Sequence, residues 1–265
     1  MIRSFLAAGV ALSLTATAAS AHFLEILPSE DVLPKGGPVA LELTFTHPME
    51  RGPVMELSRP LRFGVKANGK TTDLRAALRQ IEKQGKTAWT ASHELKEPGA
   101  AIFFVEPQPY WEPAEGKFII HYAKVIVDAF ASGKDWDAMV GLPVEIEPLT
   151  RPTGLWAGNV FRGIVRRNGK PAPFAEVEVE FVNDGSVTPP NDAFVTQVVK
   201  ADAQGVFAYA MPRAGWWGFA ALIESERKMK APNGKDAPVE LGGLLWVKTV
   251  AMPGSIPGLT PDSRR

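Results

Sequence analysis

Period-two alternation most narrows what this chain can fold into. In Glu176-Val-Glu-Val-Glu-Phe-Val, residues Val177, Val179 and Phe181 fall on one side and the glutamates on the other. That pattern suits a half-buried strand and excludes a helix with a single apolar face. Val39, Leu41, Leu43 and Phe45 alternate in the same way with Ala40, Glu42, Thr44 and Thr46. Further strands are expected at 102–105, 118–127, 160–165, 194–200, 206–211, 215–223 and 239–247. The chain's 24 glycines and 23 prolines cut it into short apolar runs, which favours β-sandwiches over a helical bundle. Leu74, Leu78 and Ile81 lie at helical spacing behind Asp73, a suitable N-cap, so at most one short helix is expected there. The segment Leu149-Thr-Arg-Pro-Thr-Gly-Leu-Trp-Ala-Gly has the texture of a connector. The expected fold is therefore all-β, with two sandwiches at 22–150 and 151–250 and a disordered tail at 251–265.

Residues 1–21 have the form of a secretory signal peptide: Arg3, a short apolar run from Phe5 to Leu14, and Ala19-Ser20-Ala21 as a cleavage site. Cutting after Ala21 makes His22 the first residue of a periplasmic protein. No later apolar run is long enough to cross a bilayer as a helix, so the cut chain should be soluble. The chain holds 29 Lys plus Arg and 29 Asp plus Glu, a balance that argues against a nucleic-acid partner. It has no cysteine, which excludes disulfides, thiolate metal sites, a cysteine nucleophile and a lipid-anchored N-terminal cysteine. There is no Gly-x-Ser-x-Gly elbow, phosphate loop or His-Glu-x-x-His helix, and the chain is not expected to be an enzyme.

Any metal must then be held by nitrogen, carboxylate oxygen or thioether, and the four histidines can be weighed singly. A terminal His22 carries two donors on one residue, the ring and an α-amine whose pKa is about 8. Together they can close a chelate ring on Ni²⁺, Co²⁺, Cu²⁺ or Zn²⁺. The alternative is a histidine left there by the position of the cut. His47 shares the inward parity of Val39 to Phe45, so it is either a core histidine or a ligand. Met49 beside it is a further donor or a packing residue. His121 stands in the apolar run Phe118-Ile-Ile-His-Tyr, where a buried ring needs partners. It is either a ligand or part of a hydrogen-bonded core. His93 is expected on a strand surface. Glu112, in Pro109-Tyr-Trp-Glu-Pro, either walls a site or stiffens a hairpin connection.

Two resemblances add to this reading. Phe161-Arg-Gly-Ile-Val, Asn168-Gly-Lys-Pro-Ala-Pro-Phe-Ala-Glu-Val-Glu-Val, Lys200-Ala-Asp-Ala-Gln-Gly-Val-Phe and Pro212-Arg-Ala-Gly-Trp-Trp resemble the transthyretin-like or carboxypeptidase-regulatory-like sandwich. That module is a guide to fold and not to function. The set His22-Phe-Leu-Glu-Ile-Leu-Pro-Ser, Phe45-Thr-His-Pro-Met-Glu, Ala88-Trp-Thr, Pro109-Tyr-Trp-Glu-Pro-Ala-Glu, Phe118-Ile-Ile-His-Tyr and Leu149-Thr-Arg-Pro-Thr-Gly-Leu-Trp-Ala-Gly-Asn-Val-Phe is similar to the periplasmic component family associated with nickel and cobalt uptake systems of the energy-coupling-factor type. The resemblance implies a Ni²⁺ or Co²⁺ carrier that delivers to a membrane transporter component, with His22, His47 and His121 as ligands and His93 outside the pattern. Two rivals are a cell-envelope β-sandwich module without metal and a copper-binding protein with an N-terminal histidine.

Overall fold

The computed structural model describes residues 22–254. The signal-peptide reading at 1–21 and most of the expected tail lie outside these residues. The regular secondary structure of the described residues is almost entirely strand, arranged in three main layers. A five-stranded sheet contains Phe23–Pro28, Gly37–Thr46, Lys86–Leu95 and Arg79–Lys83 in that order, with Val54–Met55 paired to the second. A four-stranded sheet is built on Val144–Pro148, Val160–Arg167 and Lys170–Pro171, with Val206–Ala210 alongside. Between them runs an eleven-stranded sheet that takes strands from both halves of the chain.

The two halves therefore share one sheet. Lys117–Ala129 pairs in parallel with Val239–Val250 over Phe118↔Val239 to Val125↔Trp246. Both strands are covered on both faces, which explains their nearly unbroken apolar sequence. Phe103, Val125, Val127, Leu244 and Trp246 face the five-stranded sheet and pack with Phe23, Leu24, Leu41, Leu43 and Phe45. Ile102, Ile126, Leu245 and Val247 face the opposite way and pack with Ile146, Phe161, Phe207 and Phe219. Burying each such side chain contributes roughly 1.5–3 kcal/mol. The Trp246 indole N–H donates to the Leu24 carbonyl at 2.9 Å, which ties the closing strand to the first.

Several local expectations change in the structure. Residues 73–81 do not form a helix: a single 3-10 turn, Arg75–Ala77, is followed by the strand Arg79–Lys83. Leu74 and Leu78 are buried, so the spacing marked inward residues, but tertiary pairing overrode helix formation. The expected strand at 194–200 begins at Gln197, after a 3-10 turn at Asp192–Phe194. Inside the expected connector, Leu155–Trp156 adds to the large sheet beside Thr249 and Val250. The turn at Asn168-Gly169 is present, both residues having positive φ (50° and 77°), as a tight hairpin of this kind requires.

The glutamates of Glu176–Phe181 do not all face water. Glu180 is 1% exposed, because the Met49 segment folds over it and the Met49 N–H donates to Glu180 Oε2 at 3.1 Å. Burial pushes its carboxyl up to about 7, against hydrogen bonds from Thr196 and Met49. A carboxyl raised on folding stabilises the protein below the unfolded value and loses that contribution as pH climbs toward the folded one. Stability should therefore fall between about pH 4.5 and pH 7, by on the order of 3 kcal/mol from this group. Glu180→Gln should flatten that slope and melt higher than the parent at pH 8. Thermal unfolding across the pH range checks it, and an unchanged slope would refute it.

Candidate metal centre

His22 and His47 meet at one end of the layer between the five-stranded and eleven-stranded sheets, and His121 lies across the Phe45 ring from His22. The register of the first two strands pairs Phe23 with Thr46. One step further, His22 and His47 stand opposite each other, with ring centroids 4.6 Å apart. Both share the inward face of Leu24 and Phe45. His121 reaches the same place from the large sheet. It has the parity of Ile119, Ala123 and Val125, which line the core on that side. Its ring lies edge-on to Phe45 at 6.2 Å, and Phe45 lies 5.6 Å from His22. His22, His47 and His121 are all buried.

The ring of His121 is seated by a glycine. Its register partner across the parallel pair is Gly242, and a Cβ there would come within 2.3 Å of His121 Cδ2. Glycine in a strand interior often marks such a close approach. The Nε2 of His121 is 3.2 Å from Glu240 Oε1, while its Nδ1 is buried with no hydrogen-bond partner among the described residues. Glu240 also takes a hydrogen bond from Lys117 Nζ at 2.6 Å, and Lys117 reaches Glu115 at 2.6 Å as well. Burial pushes the Glu240 carboxyl up, but His121 and then Lys117 overcome that and hold it down at about 2.

The Nε2 of His22 is 2.9 Å from Glu112 Oε2. The other Glu112 oxygen accepts the Ala114 N–H at 2.9 Å, which fixes the carboxylate at the turn after Tyr110–Glu112. Tyr110 packs edge-on against Phe45 at 5.1 Å. Burial, followed by the nearby His47, lowers the His22 pKa, and Glu112 only partly opposes this. The ring is thus kept neutral further into acid, as a nitrogen ligand must be. A small cavity of about 40 Å³ lies beside His121, Phe45 and Tyr110. On its other side His22 borders a wide cleft of about 690 Å³ whose walls carry Glu115, Lys117, Glu176, Glu178 and Glu240. Glu178 is raised to about 8, first by burial and then by Glu240 and Glu180.

Among the described residues, no group of three or more His, Asp or Glu side chains is placed to hold a metal ion. The donor set is nevertheless nitrogen-rich, and two of its Nε2 atoms are engaged by carboxylates. In the uncut chain the His22 nitrogen is an amide, so the arrangement has one donor fewer than a cut chain would bring.

Of the remaining candidates, His93 and Met49 lie elsewhere. His93 pairs with Val39, at the far end of the strand that ends near His47, and packs on Phe103 at 5.9 Å. Met49 is buried in the second core, where its backbone is held by Glu180 and Asn183. Its thioether serves packing there, because the turn after His47 carries it toward the other sandwich. Glu112 belongs to the cluster, as a hydrogen-bond partner of His22. Glu240 was not legible as a site residue. The only local signal was the Gly242-Gly243 pair two positions on.

No curated protein matches this chain. Solved structures with partial likeness include the adhesin InvE of Yersinia pseudotuberculosis, at 13% identity and a TM-score of 0.23. The match covers 83% of this chain, which spans 58% of the adhesin's length. A two-domain fibronectin type-III segment of chicken tenascin matches at 12% identity and TM-score 0.23, over 86% of this chain and 100% of that one. These superpositions are loose, and the all-β assignment rests on the strands themselves. Among the described residues no helix is long and apolar enough to cross a membrane. Residues 19–225 match the family model described as a domain of unknown function, DUF4198, and the chain belongs to that family.

Proposed function

We propose that the chain is exported to the periplasm, cut after Ala21, and binds one Ni²⁺ or Co²⁺ for delivery to a membrane uptake transporter. The observation that carries this reading is the convergence of His22, His47 and His121, with the buried Nδ1 of His121 left without a partner. A buried polar atom without a hydrogen bond costs about 1–3 kcal/mol, a cost that a bound ion would remove. His22 supplies its amine and ring, and His47 and His121 complete a nitrogen site. The neighbouring cleft would let a carrier load and unload. A nitrogen set of this kind also accepts Cu²⁺ and Zn²⁺, and affinity alone does not choose among them.

The test is thermal unfolding of a chain beginning at His22, with and without each metal. A ligand of the native state stabilises by about 2.7 kcal/mol at a hundred times its Kd. Ni²⁺ and Co²⁺ should raise the midpoint, His121→Ala should abolish the rise, and His93→Ala should keep it. If none of the four metals stabilises the parent, the reading fails, and a β-sandwich module without metal remains.

A further inference from the structure

Two of the clustered histidines present the same ring atom to a carboxylate. His22 Nε2 faces Glu112 Oε2 at 2.9 Å, and His121 Nε2 faces Glu240 Oε1 at 3.2 Å. We propose that Glu112 and Glu240 are positioning residues of the metal centre, each holding the Nε2–H of one imidazole so that Nδ1 is the atom offered to the ion. The proposal rests on the metal-binding reading above and names what orients its ligands.

The chemistry is consistent at both histidines. A carboxylate oxygen only accepts, so the facing Nε2 carries the proton. In a neutral ring the lone pair is then on Nδ1. At His121 that Nδ1 is the buried atom without a partner. At His22 the covalent structure makes the same choice. An ion held by the α-amine and Nδ1 closes a six-membered ring through Cα, Cβ and Cγ. Nε2 lies on the far side of the imidazole and cannot close it. Metal-bound histidines commonly donate their other N–H to a carboxylate in this way, which fixes the ring and strengthens the donor. Glu112 thus acts through His22 and is not itself a ligand. Glu240 comes from the closing strand Val239–Val250, so the C-terminal half contributes to the centre through His121. Lys117, shared between Glu115 and Glu240, holds that carboxylate in place.

The test uses the chain beginning at His22, labelled with ¹⁵N-histidine. Long-range ¹H–¹⁵N spectra of the metal-free protein should show Nε2 protonated and Nδ1 unprotonated at both His22 and His121. Glu240→Leu should scramble that signature at His121 alone, and Glu112→Leu at His22 alone. Each should weaken Ni²⁺ binding by about 10–100-fold in calorimetry. Glu240→Gln keeps an oxygen that can accept, so it should preserve the tautomer and most of the affinity. A parent protein that binds Ni²⁺ with Nε2 of His121 unprotonated would overturn the proposal and leave the metal reading standing. Unchanged affinity in a folded Glu240→Leu protein would do the same. A parent that binds none of the metals would overturn both.

Discussion

A chain that begins at His22 is expected to bind Ni²⁺ about a hundredfold more tightly than the same chain with one glycine added in front. The added residue turns the α-amine into an amide, which no longer offers a lone pair without losing a tightly held proton. It also moves the new amine beyond reach of the His22 ring, so the six-membered chelate is lost. What remains is three imidazoles, one of which is no longer anchored at two points. A hundredfold corresponds to about 2.7 kcal/mol, a modest demand for a donor that costs no separate binding event. The pH dependence separates this cause from a steric one. With its pKa of about 8, the amine must release its proton to solvent when the metal binds, so above about pH 7, where the imidazoles are already neutral, affinity should keep climbing more steeply in the chain that begins at His22. Calorimetry at two pH values reads both effects. Equal affinities, or parallel pH profiles, would remove the amine from the centre and leave the histidine rings to account for any binding.

The parts of this centre differ in how far they can be read from residues alone. His47 was legible because it continues the alternation of Val39 to Phe45, where only one face of the sheet is buried at the start of the strand. The opposition of His22 and His47 was not, since it depends on a register between two strands that the turn between them does not dictate. His121 posed a different problem. Its strand is covered on both faces by the two cores, so apolar periodicity carries no sign of which way an interior residue points. Glu240 lies 119 positions from His121, and a parallel pairing across the two halves brings them together. Such a contact leaves no trace in local pattern. Glu180 misled for the opposite reason: perfect alternation with valines implied water on its side, yet the segment after His47 covers it. The helix at 73–81 failed because Leu74 and Leu78 are spaced for burial by a turn and strand as well as by a helix.

The buried pair of Lys124 and Glu145 joins the strand that carries His121 to the strand Val144–Pro148 of the four-stranded sheet, and its two members should not be equivalent when removed. Lys124 Nζ lies 2.6 Å from Glu145 Oε1, and their side chains are 1% and 2% exposed. Glu145 has other work: its two oxygens accept the N–H groups of Val140 and Gly141, both at 2.8 Å, and of Leu142 at 3.1 Å. Among the described residues, Lys124 has besides its carboxylate a 4.0 Å approach to the Met139 sulfur. Glu145→Leu therefore strands a buried ammonium and frees three backbone donors at once, and should cost about 3–5 kcal/mol. Burial already lowers the Lys124 pKa, with Glu145 opposing it, so the stranded lysine should shed its proton to escape part of that cost. Lys124→Met leaves a carboxylate that three N–H groups still solvate, and should cost about 1–2 kcal/mol. The double variant should cost less than the two single losses added together, because the stranded-charge penalty is counted only once. Urea unfolding of the four proteins gives the coupling directly. Equal single losses that simply add would show that the pair is not what holds the 140–142 segment, and with it the strand bearing His121, against the second sandwich.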